Sequence, residues 1–231
     1  VIYPAPPTDL VVDAILVPEN AGVGDEITIT YTVRNAHPTE TARGFWADAF
    51  YLSSDAVWDL GDALMGRMEQ GEDWDAEHER WKRPKVLAPG QSYTSEFVAT
   101  MPVALPGNYR VIVRTDIFDD IYEGANNANN KLASASTIAV TVPMLTLDVP
   151  SANTLSTGQS LLYGLVVPAG ETLEVRLVSA NKSAANELYV RYEGLPNSIS
   201  HDARFEAHLW SDQVARVPLT EAGTYYILVR S

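Results

Sequence analysis

The 231-residue chain contains no cysteine. Disulfide bonds, thiolate catalysis and cysteine-ligated zinc are therefore excluded together. The absence does not decide the cellular compartment, because secreted domains of this size can fold without disulfides. Basic residues are also few: 16 Lys and Arg stand against 30 Asp and Glu, a net charge of −14. This balance argues against nucleic-acid binding and against docking on an anionic membrane surface.

Long apolar runs are missing as well. No stretch approaches the roughly 20 apolar residues of a membrane-spanning helix, and no signal peptide is present. The chain begins at Val1 rather than Met and ends inside the strand-like run TYYILVRS. We interpret it as a piece of a longer protein, so the lack of targeting signals says little. We expect no membrane insertion.

What the sequence does have is apolar/polar alternation with a period of two, which is typical of half-buried strands. Turn sequences such as GVGD, APGQ, LPGN, PAGE and EAGT separate the runs, and no amphipathic helix of three turns stands out. Short strands joined by Gly/Pro turns predict an all-β fold of sandwiches or barrels. The predicted strands are residues 9–17, 26–34, 92–101, 108–117, 136–142, 161–167, 172–179, 187–193 and 224–231.

A domain boundary is predicted near VPMLTLDVPS. Pro143 ends one strand pattern and Pro150 follows a short apolar run. Charge changes at the same point: residues 1–143 hold 21 acidic and 10 basic side chains, whereas residues 144–231 hold 9 and 6. The sequence therefore predicts two domains, residues 1–143 and residues 144–231.

PGNYRVIVR and AGTYYILVR echo each other across the two halves. A tandem duplication and a shared pattern of sandwich strands both account for the echo. In either case a tyrosine stands at the entrance of a strand, where its hydroxyl can return to a backbone group. We predict that Tyr109 and Tyr225 are largely buried with their hydroxyls bonded to backbone.

Five segments of the first half occur in a distinctive order: TDLVVDAILVP, GDEITITYTVRN, FWADAFYLSSDAVWDLGDALMG, LAPGQSYTSEF and PGNYRVIVRTD…IYEGANNANN. They resemble the CARDB domain, a cell-adhesion-related module of large bacterial extracellular proteins, over residues 8–142. The resemblance implies an immunoglobulin-like sandwich. The chain departs from the family pattern at residues 69–85, a long and charged connection that we expect on the surface of the first domain.

The second half, through LLYGLVVPAGETLEVRLVS, NELYVRYEGLP and AGTYYILVRS, is similar to the bacterial pre-peptidase C-terminal domain over residues 150–231. That resemblance implies a small jelly-roll-like sandwich. The predicted fold is therefore all-β, with two β-sandwich domains in tandem, the first immunoglobulin-like and the second jelly-roll-like. Neither family is known chiefly for catalysis.

The sequence carries no strong catalytic pattern. There is no Gly-x-Ser-x-Gly elbow, and the four histidines lie in unrelated contexts. Asp48 is the carboxylate that stands out, because it shares a strand face with Trp46, Phe50 and Leu52. We interpret Asp48 as a structural group at a sheet edge or bonded to neighbours, and we predict that the chain is not an enzyme.

Five tryptophans offer a second possible function, since an indole face can stack on a sugar ring. The structural alternative is that Trp46 and Trp210 pack into cores while Trp74 and Trp81 cover the long connection. A row of exposed indoles would favour sugar binding, and buried rings would exclude it.

The loop SSDAVWDLGD places Asp55, Asp59 and Asp62 within ten residues. Ca²⁺ takes six to eight oxygen ligands from such flexible loops, and Gly61 permits a tight bend. A solvated turn bonded to its own backbone explains the loop equally well, and half of a catalytic acid pair is a weaker third reading. We predict calcium bound by Asp55, Asp59 and Asp62.

A second acidic loop, DIFDDIYEGANNANN, carries Asp119, Asp120 and Glu123 together with four asparagines. It is a weaker calcium candidate through these three carboxylates. Asn and Asp also bond their own backbone, so this loop can equally knit itself together.

Together these observations predict a non-catalytic fragment that adheres, spaces or displays within a large bacterial surface or secreted protein, stabilised by calcium. Its partners would be a protein or glycan ligand and neighbouring domains of the parent chain. The alternative is an accessory carbohydrate-binding or peptidase-targeting module that serves an enzyme elsewhere in that chain. The expected location is extracellular or at the cell surface.

Overall fold

The computed structural model describes residues 6–71 and 83–231. Within these ranges the protein is built of β-strands with one short 3₁₀ helix, Gly124–Asn129. Most of the charged connection predicted to lie on the surface, residues 72–82 with Trp74 and Trp81, falls outside the described residues.

The chain divides into two compact units. The first comprises Val1–Ala21, Glu26–Pro102 and Asn108–Ala139, and the second comprises Gly22–Asp25, Val103–Gly107 and Val140–Ser231. The long C-terminal segment of the second unit thus begins at Val140, a few residues before the boundary that charge and proline positions predicted. The division into domains 1–143 and 144–231 stays a prediction.

The first unit is formed mainly by two β-sheets. A three-stranded sheet has the order β1-β3-β8, with strands β1 (Leu10–Leu16), β3 (Glu26–Asn35) and β8 (Ser92–Thr100). A six-stranded sheet has the order β2-β11-β9-β5-β6, with β10 also paired to β9. Its strands are β2 (Asn20–Gly22), β5 (Trp46–Ser53), β6 (Ala63–Gln70), β9 (Gly107–Arg114), β10 (Lys131–Ala133) and β11 (Ile138–Thr141). The short strands β4 (Ala42–Gly44) and β7 (Lys85–Leu87) form a separate pair.

Aromatic rings join the two sheets face to face. Phe50 of β5 stacks on Phe97 of β8 with ring centroids 4.0 Å apart, and Tyr31 of β3 meets Phe50 edge-on at 5.0 Å. Alternation along β3 points every second side chain into this layer, where Ile29 and Val33 are fully buried. The first unit is therefore a β-sandwich, as alternation in its sequence predicted.

A glycine permits the close packing at Phe97. Gly66 faces Phe50 across the β5–β6 ladder, next to a register shift in β5. A Cβ at Gly66 would lie 2.6 Å from Phe97 Cζ, and the residue has φ +153°. Any larger residue at this position would have to displace the ring.

The second unit contains a five-stranded sheet of order β12-β13-β18-β15-β16 and a separate two-stranded ladder, β14-β17. Buried residues of both, among them Leu162, Leu188, Ile227, Ala215 and Val217, form one hydrophobic core. The strands are β12 (Met144–Leu145), β13 (Ser160–Val167), β14 (Leu173–Leu177), β15 (Glu187–Tyr192), β16 (Ala203–Arg204), β17 (Gln213–Val217) and β18 (Gly223–Arg230).

All nine predicted strands are present, with ends that differ by a few residues. Alternation did not reveal β6 or β17, nor the strands of two or three residues. Tyr225 is buried and its hydroxyl accepts a hydrogen bond from the Glu221 backbone N–H at 2.9 Å, which confirms that prediction. Tyr109 is only half-buried.

Candidate functional site

Asp48 is the most completely enclosed carboxylate among the described residues, with 0% of its surface exposed. Tyr31 and Tyr93 donate their hydroxyl hydrogens to Asp48 Oδ2 over 2.7 and 2.6 Å. The Thr115 hydroxyl donates to Oδ1 over 2.6 Å. Of the two positions predicted for Asp48, at a sheet edge or bonded to its neighbours, the second is confirmed, because β5 lies between β9 and β6.

Burial raises the pKa of Asp48, while the Thr115, Tyr93 and Tyr31 hydroxyls and the charge of Lys85 oppose that rise. Burial, reinforced by the charge of Asp48, also raises the pKa of both tyrosines above the usual 10. The tyrosines therefore keep their protons and remain donors at physiological pH.

A second layer of polar contacts surrounds this cluster. The Gln70 side-chain N–H donates to Tyr31 Oη over 2.9 Å, and Lys85 Nζ donates to Gln70 Oε1. Lys85 Nζ also lies 3.3 Å from the Tyr93 ring centroid, a cation–π contact. Because Asp48 is sealed from solvent and its oxygens are already occupied, it cannot reach a substrate in this conformation. The arrangement holds the two sheets together.

The first acidic loop uses its carboxylates to bond its own backbone. Asp55 Oδ1 accepts from the Val57 N–H over 2.7 Å, and Asp59 Oδ1 accepts from the Gly61 N–H over 2.6 Å. Asp62 Oδ2 accepts from the Asp59 N–H over 2.9 Å. These are the side-chain turns that Asp commonly forms, so the self-bonded alternative has direct structural support.

Residues 6–71 and 83–231 contain no group of three or more His, Cys, Asp or Glu side chains placed to hold one metal ion. The carboxylates of Asp55, Asp59 and Asp62 are thus not gathered around a common point. Calcium binding at this loop stays a prediction that a solution experiment must decide.

In the second acidic loop the organising residue is Asp116, which the sequence did not single out. It is 2% exposed and its carboxylate accepts from the backbone N–H groups of Asp120 and Ile121 over 2.9 and 3.0 Å. Burial raises the pKa of Asp116 to about 6, although these two N–H groups oppose the rise. Asp116 and Asp119 both adopt positive φ, which Asp tolerates better than most residues.

Glu123, one of the predicted ligands, is buried and ties the loop to the first strand. Its carboxylate accepts from the Leu10 backbone N–H and from the Asn130 side-chain N–H. Burial raises its pKa to about 7, with a further contribution from the charge of Asp116. Asp119 and Asp120 are exposed, so the three predicted ligands do not face one another as a set.

The asparagines of this loop also bind the segment before β1. The Asn126 side chain donates to the Thr8 carbonyl and the Asn129 side chain donates to the Asp9 carboxylate, each over 2.9 Å. A small polar cavity of about 70 Å³ lies between Asp116, Asp119 and Asn130, and the buried Oδ1 of Asn130 has no hydrogen-bond partner there. The loop therefore binds the segment before β1 through side-chain hydrogen bonds.

The tryptophans divide into different environments. Trp46 is buried in the core, as predicted. Arg114 lies over the Trp58 ring with its Cζ 3.9 Å from the centroid, so one indole face is covered. Trp210 is 67% exposed, and the expectation that it packs into a core is wrong. It stands in a loop of the second unit, where alternation gives no information about burial.

These features define the first unit as an all-β sandwich module in which the buried polar groups support the fold. A family model for CARDB matches residues 7–134, and the chain belongs to that family. CARDB is a cell-adhesion-related module with an immunoglobulin-like fold. The similarity of residues 150–231 to the pre-peptidase C-terminal domain stays a prediction.

Solved structures with a detectable likeness are distant. A crystal structure of a CARDB domain from Pyrococcus furiosus, described as a complex with di-metal ions, is 18% identical. The match covers 58% of this chain and 89% of that one, with a TM-score of 0.38. A solution structure of the same domain is 19% identical, covers 58% and 95%, and gives a TM-score of 0.37.

A mutant β-glucosidase from Listeria innocua in complex with laminaribiose is 14% identical. That match covers 58% of this chain but only 16% of the glucosidase, with a TM-score of 0.34. All three likenesses are too low to support a functional argument. A search of curated proteins found no match.

Proposed function

We propose that this chain is a non-catalytic adhesion module of a larger secreted or surface protein, which also spaces or displays neighbouring domains. The observation that supports this proposal is that Asp48 is buried and fully hydrogen-bonded within the sandwich. The deepest carboxylate of the sandwich is enclosed by three hydroxyl donors and inaccessible to a substrate. Its carboxylate links β5 to Tyr31 and Tyr93 of the facing sheet. In the described part of the chain, no helix is long and apolar enough to cross a membrane.

The test has a catalytic and an adhesive part. The chain should not turn over fluorogenic glycosides or peptides between pH 4 and 8, and Asp48→Asn should leave that background unchanged. Beads coated with the chain should be retained under flow on bacterial cell wall, mucin or plant polysaccharide more strongly than albumin-coated beads. Turnover above a buffer blank would contradict the non-catalytic proposal, whether or not Asp48→Asn abolishes it, and failure of retention on all three surfaces would contradict the adhesive one.

The second part of the proposal is a tandem of two sandwiches, residues 1–143 immunoglobulin-like and residues 144–231 jelly-roll-like. It is supported by the separate hydrophobic core of the second unit. Calorimetry of the whole chain should show two transitions, and residues 144–231 expressed alone should retain one of them. A single transition lost on cutting at residue 143 would argue for one cooperative domain.

An accessory carbohydrate-binding role is the second candidate. The observation that favours it is Trp210, the one indole of the described residues with most of its surface in solvent. A peptidase-targeting role has no comparable support. The parent sequence would discriminate these functions, because an accessory module requires a flanking glycosidase or peptidase domain.

A further inference from the structure

An exposed loop of the second unit presents two large apolar side chains to solvent. Trp210 is 67% exposed and the preceding Leu209 is 85% exposed. Leu209 also has φ +62°, a left-handed conformation that is uncommon for a bulky residue. Burial of these side chains compensates neither for their exposure nor for the backbone strain at Leu209. Strained residues of this kind cluster at ligand-binding sites.

Two buried amides hold the loop in place. The Trp210 carbonyl accepts from the Asn186 backbone N–H over 3.0 Å and from Gln213 Nε2 over 2.9 Å. Gln213 Nε2 is shared with the carbonyls of Asn186 and Ala207, and the Asn186 side chain donates to the Ser211 carbonyl over 2.6 Å. The backbone at Trp210 is therefore held by hydrogen bonds from Asn186 and Gln213. This order lowers the conformational entropy that is lost when a ligand binds.

An open cleft of about 360 Å³ borders the indole. Its lining includes Arg176, Val178, Glu206, Trp210, Asp212 and Gln213. An aromatic face thus stands beside carboxylates and a guanidinium, and the buried Oε1 of Gln213 has no hydrogen-bond partner.

The charges around the cleft are already paired. Lys182 Nζ lies 2.7 Å from the Asp212 carboxylate, which also accepts from the Ser179 N–H over 2.9 Å. Arg216 bonds Glu206 at 3.3 Å, and Arg176 is paired with Glu174. Paired charges hold polar atoms in fixed positions without a net field, so they favour a neutral ligand rich in hydroxyls over a charged peptide.

We propose that this cleft is a binding subsite for a neutral glycan, with a pyranose ring stacked on Trp210. The indole would cover the C–H face of the ring, while Glu206 and Asp212 accept hydrogen bonds from its hydroxyls and Arg176 donates to them. The inference rests on the adhesive function proposed above and names the class of ligand. An apolar peptide is the competing occupant.

The test uses the whole chain and three soluble probes, cellohexaose, chitohexaose and maltohexaose. Titration followed by tryptophan fluorescence and by calorimetry should show saturable binding of at least one probe. Trp210→Ala should raise the Kd by about tenfold or more, because the stacking surface is lost. Ile199→Ala is the matched control: Ile199 is 93% exposed in another loop of the same unit and does not line the cleft, so its Kd should equal that of the wild type.

Asp212→Asn provides a second variant that keeps the indole. It should weaken binding while circular dichroism and the melting temperature stay near those of the wild type. No saturable binding of any probe, or an unchanged Kd in Trp210→Ala, would overturn the inference. Trp210-dependent binding of an apolar peptide without sugar binding would overturn it as well.

The bead assay separates this inference from the function on which it rests. Wild-type beads that adhere while Trp210→Ala beads adhere equally would refute the glycan subsite and leave adhesion standing. Saturable, Trp210-dependent oligosaccharide binding without bead retention would support the subsite and contradict the adhesive function.

Discussion

Replacing Thr115 by valine tests directly how the first sandwich tolerates a carboxylate in its core. The substitution keeps the shape of the side chain but removes the hydroxyl that lies 2.6 Å from Asp48 Oδ1. Among the hydrogen bonds of the described residues, Thr115 supplies the one to Oδ1, whereas Oδ2 receives two from Tyr31 and Tyr93. The second methyl group of valine fills the space of the hydroxyl, and Asp48 is 0% exposed, so Oδ1 would lose this donor without replacement.

The expected loss follows from the chemistry of the bond. Leaving a buried acceptor such as Asp48 Oδ1 without its donor costs about 1–3 kcal/mol. We expect Thr115→Val to lower the free energy of unfolding by about 2–3 kcal/mol. Tyr93→Phe should cost about 1–2 kcal/mol, because Tyr31 still donates to the same oxygen. Thr115→Val should thus be the more harmful of the two.

The assay is urea unfolding at pH 7, in which the midpoint should fall while the m-value stays unchanged. Thr94→Val is the matched control. Its hydroxyl pairs with that of Thr32 at 2.8 Å in an exposed position, so the loss should stay within about 0.5 kcal/mol. If Thr115→Val is no more destabilising than Thr94→Val, Asp48 does not depend on Thr115 and the reasoning fails.

Three further predictions concern other parts of the first unit. Burial raises the pKa of Glu123 from 4.5 to about 7. The folded state therefore binds this proton more tightly than the unfolded state, and stability should fall by up to about 3 kcal/mol as pH rises from 4 to 8. Glu123→Gln should flatten that dependence in pH-resolved urea titrations, and an unchanged slope would contradict the cause. Gly66→Ala should lower the free energy of unfolding by about 1–3 kcal/mol, since its Cβ would lie 2.6 Å from Phe97 Cζ; a wild-type midpoint would show that the ring moves freely. Calcium should raise the melting temperature, a chelator should lower it, and Asp59→Ala should abolish the difference; a curve that calcium leaves unmoved would identify the loop as only a turn.

A second carboxylate, Asp116, also contributes to the pH dependence expected for Glu123. Asp116 lies in the same loop, and its pKa, raised to about 6 by burial, contributes a dependence of the same sign. Glu123→Gln should therefore abolish the slope between about pH 6 and 7 and reduce it between about pH 4.5 and 6, where both groups titrate. The remaining slope between about pH 4 and 6 should persist if Asp116 is the second titrating group.

The sequence by itself located nine of the strands of this protein. Alternation with a period of two depends only on neighbours along the chain, so β3 and β18 could be located without knowing their partners. The same pattern drew attention to Asp48 as a carboxylate on an apolar stripe. The order of segments over the first half also indicated the family that the match to residues 7–134 shows.

The donors around Asp48 were decided by tertiary structure. Tyr31, Tyr93 and Thr115 lie 17, 45 and 67 residues away along the chain, and only the packing of one sheet on the other brings them to one carboxylate. Nothing local distinguishes these hydroxyls from those of other strand residues. Their role depends on the register of several ladders at once.

Exposure in the loops was decided in the same way. From sequence, Glu123 belonged with Asp119 and Asp120 as a metal ligand, and Trp210 belonged in a core. The fold buries Glu123 against the Leu10 N–H and leaves Trp210 in solvent. A loop has no periodicity that fixes which side chains point inward, so burial there depends on contacts between residues far apart in the chain.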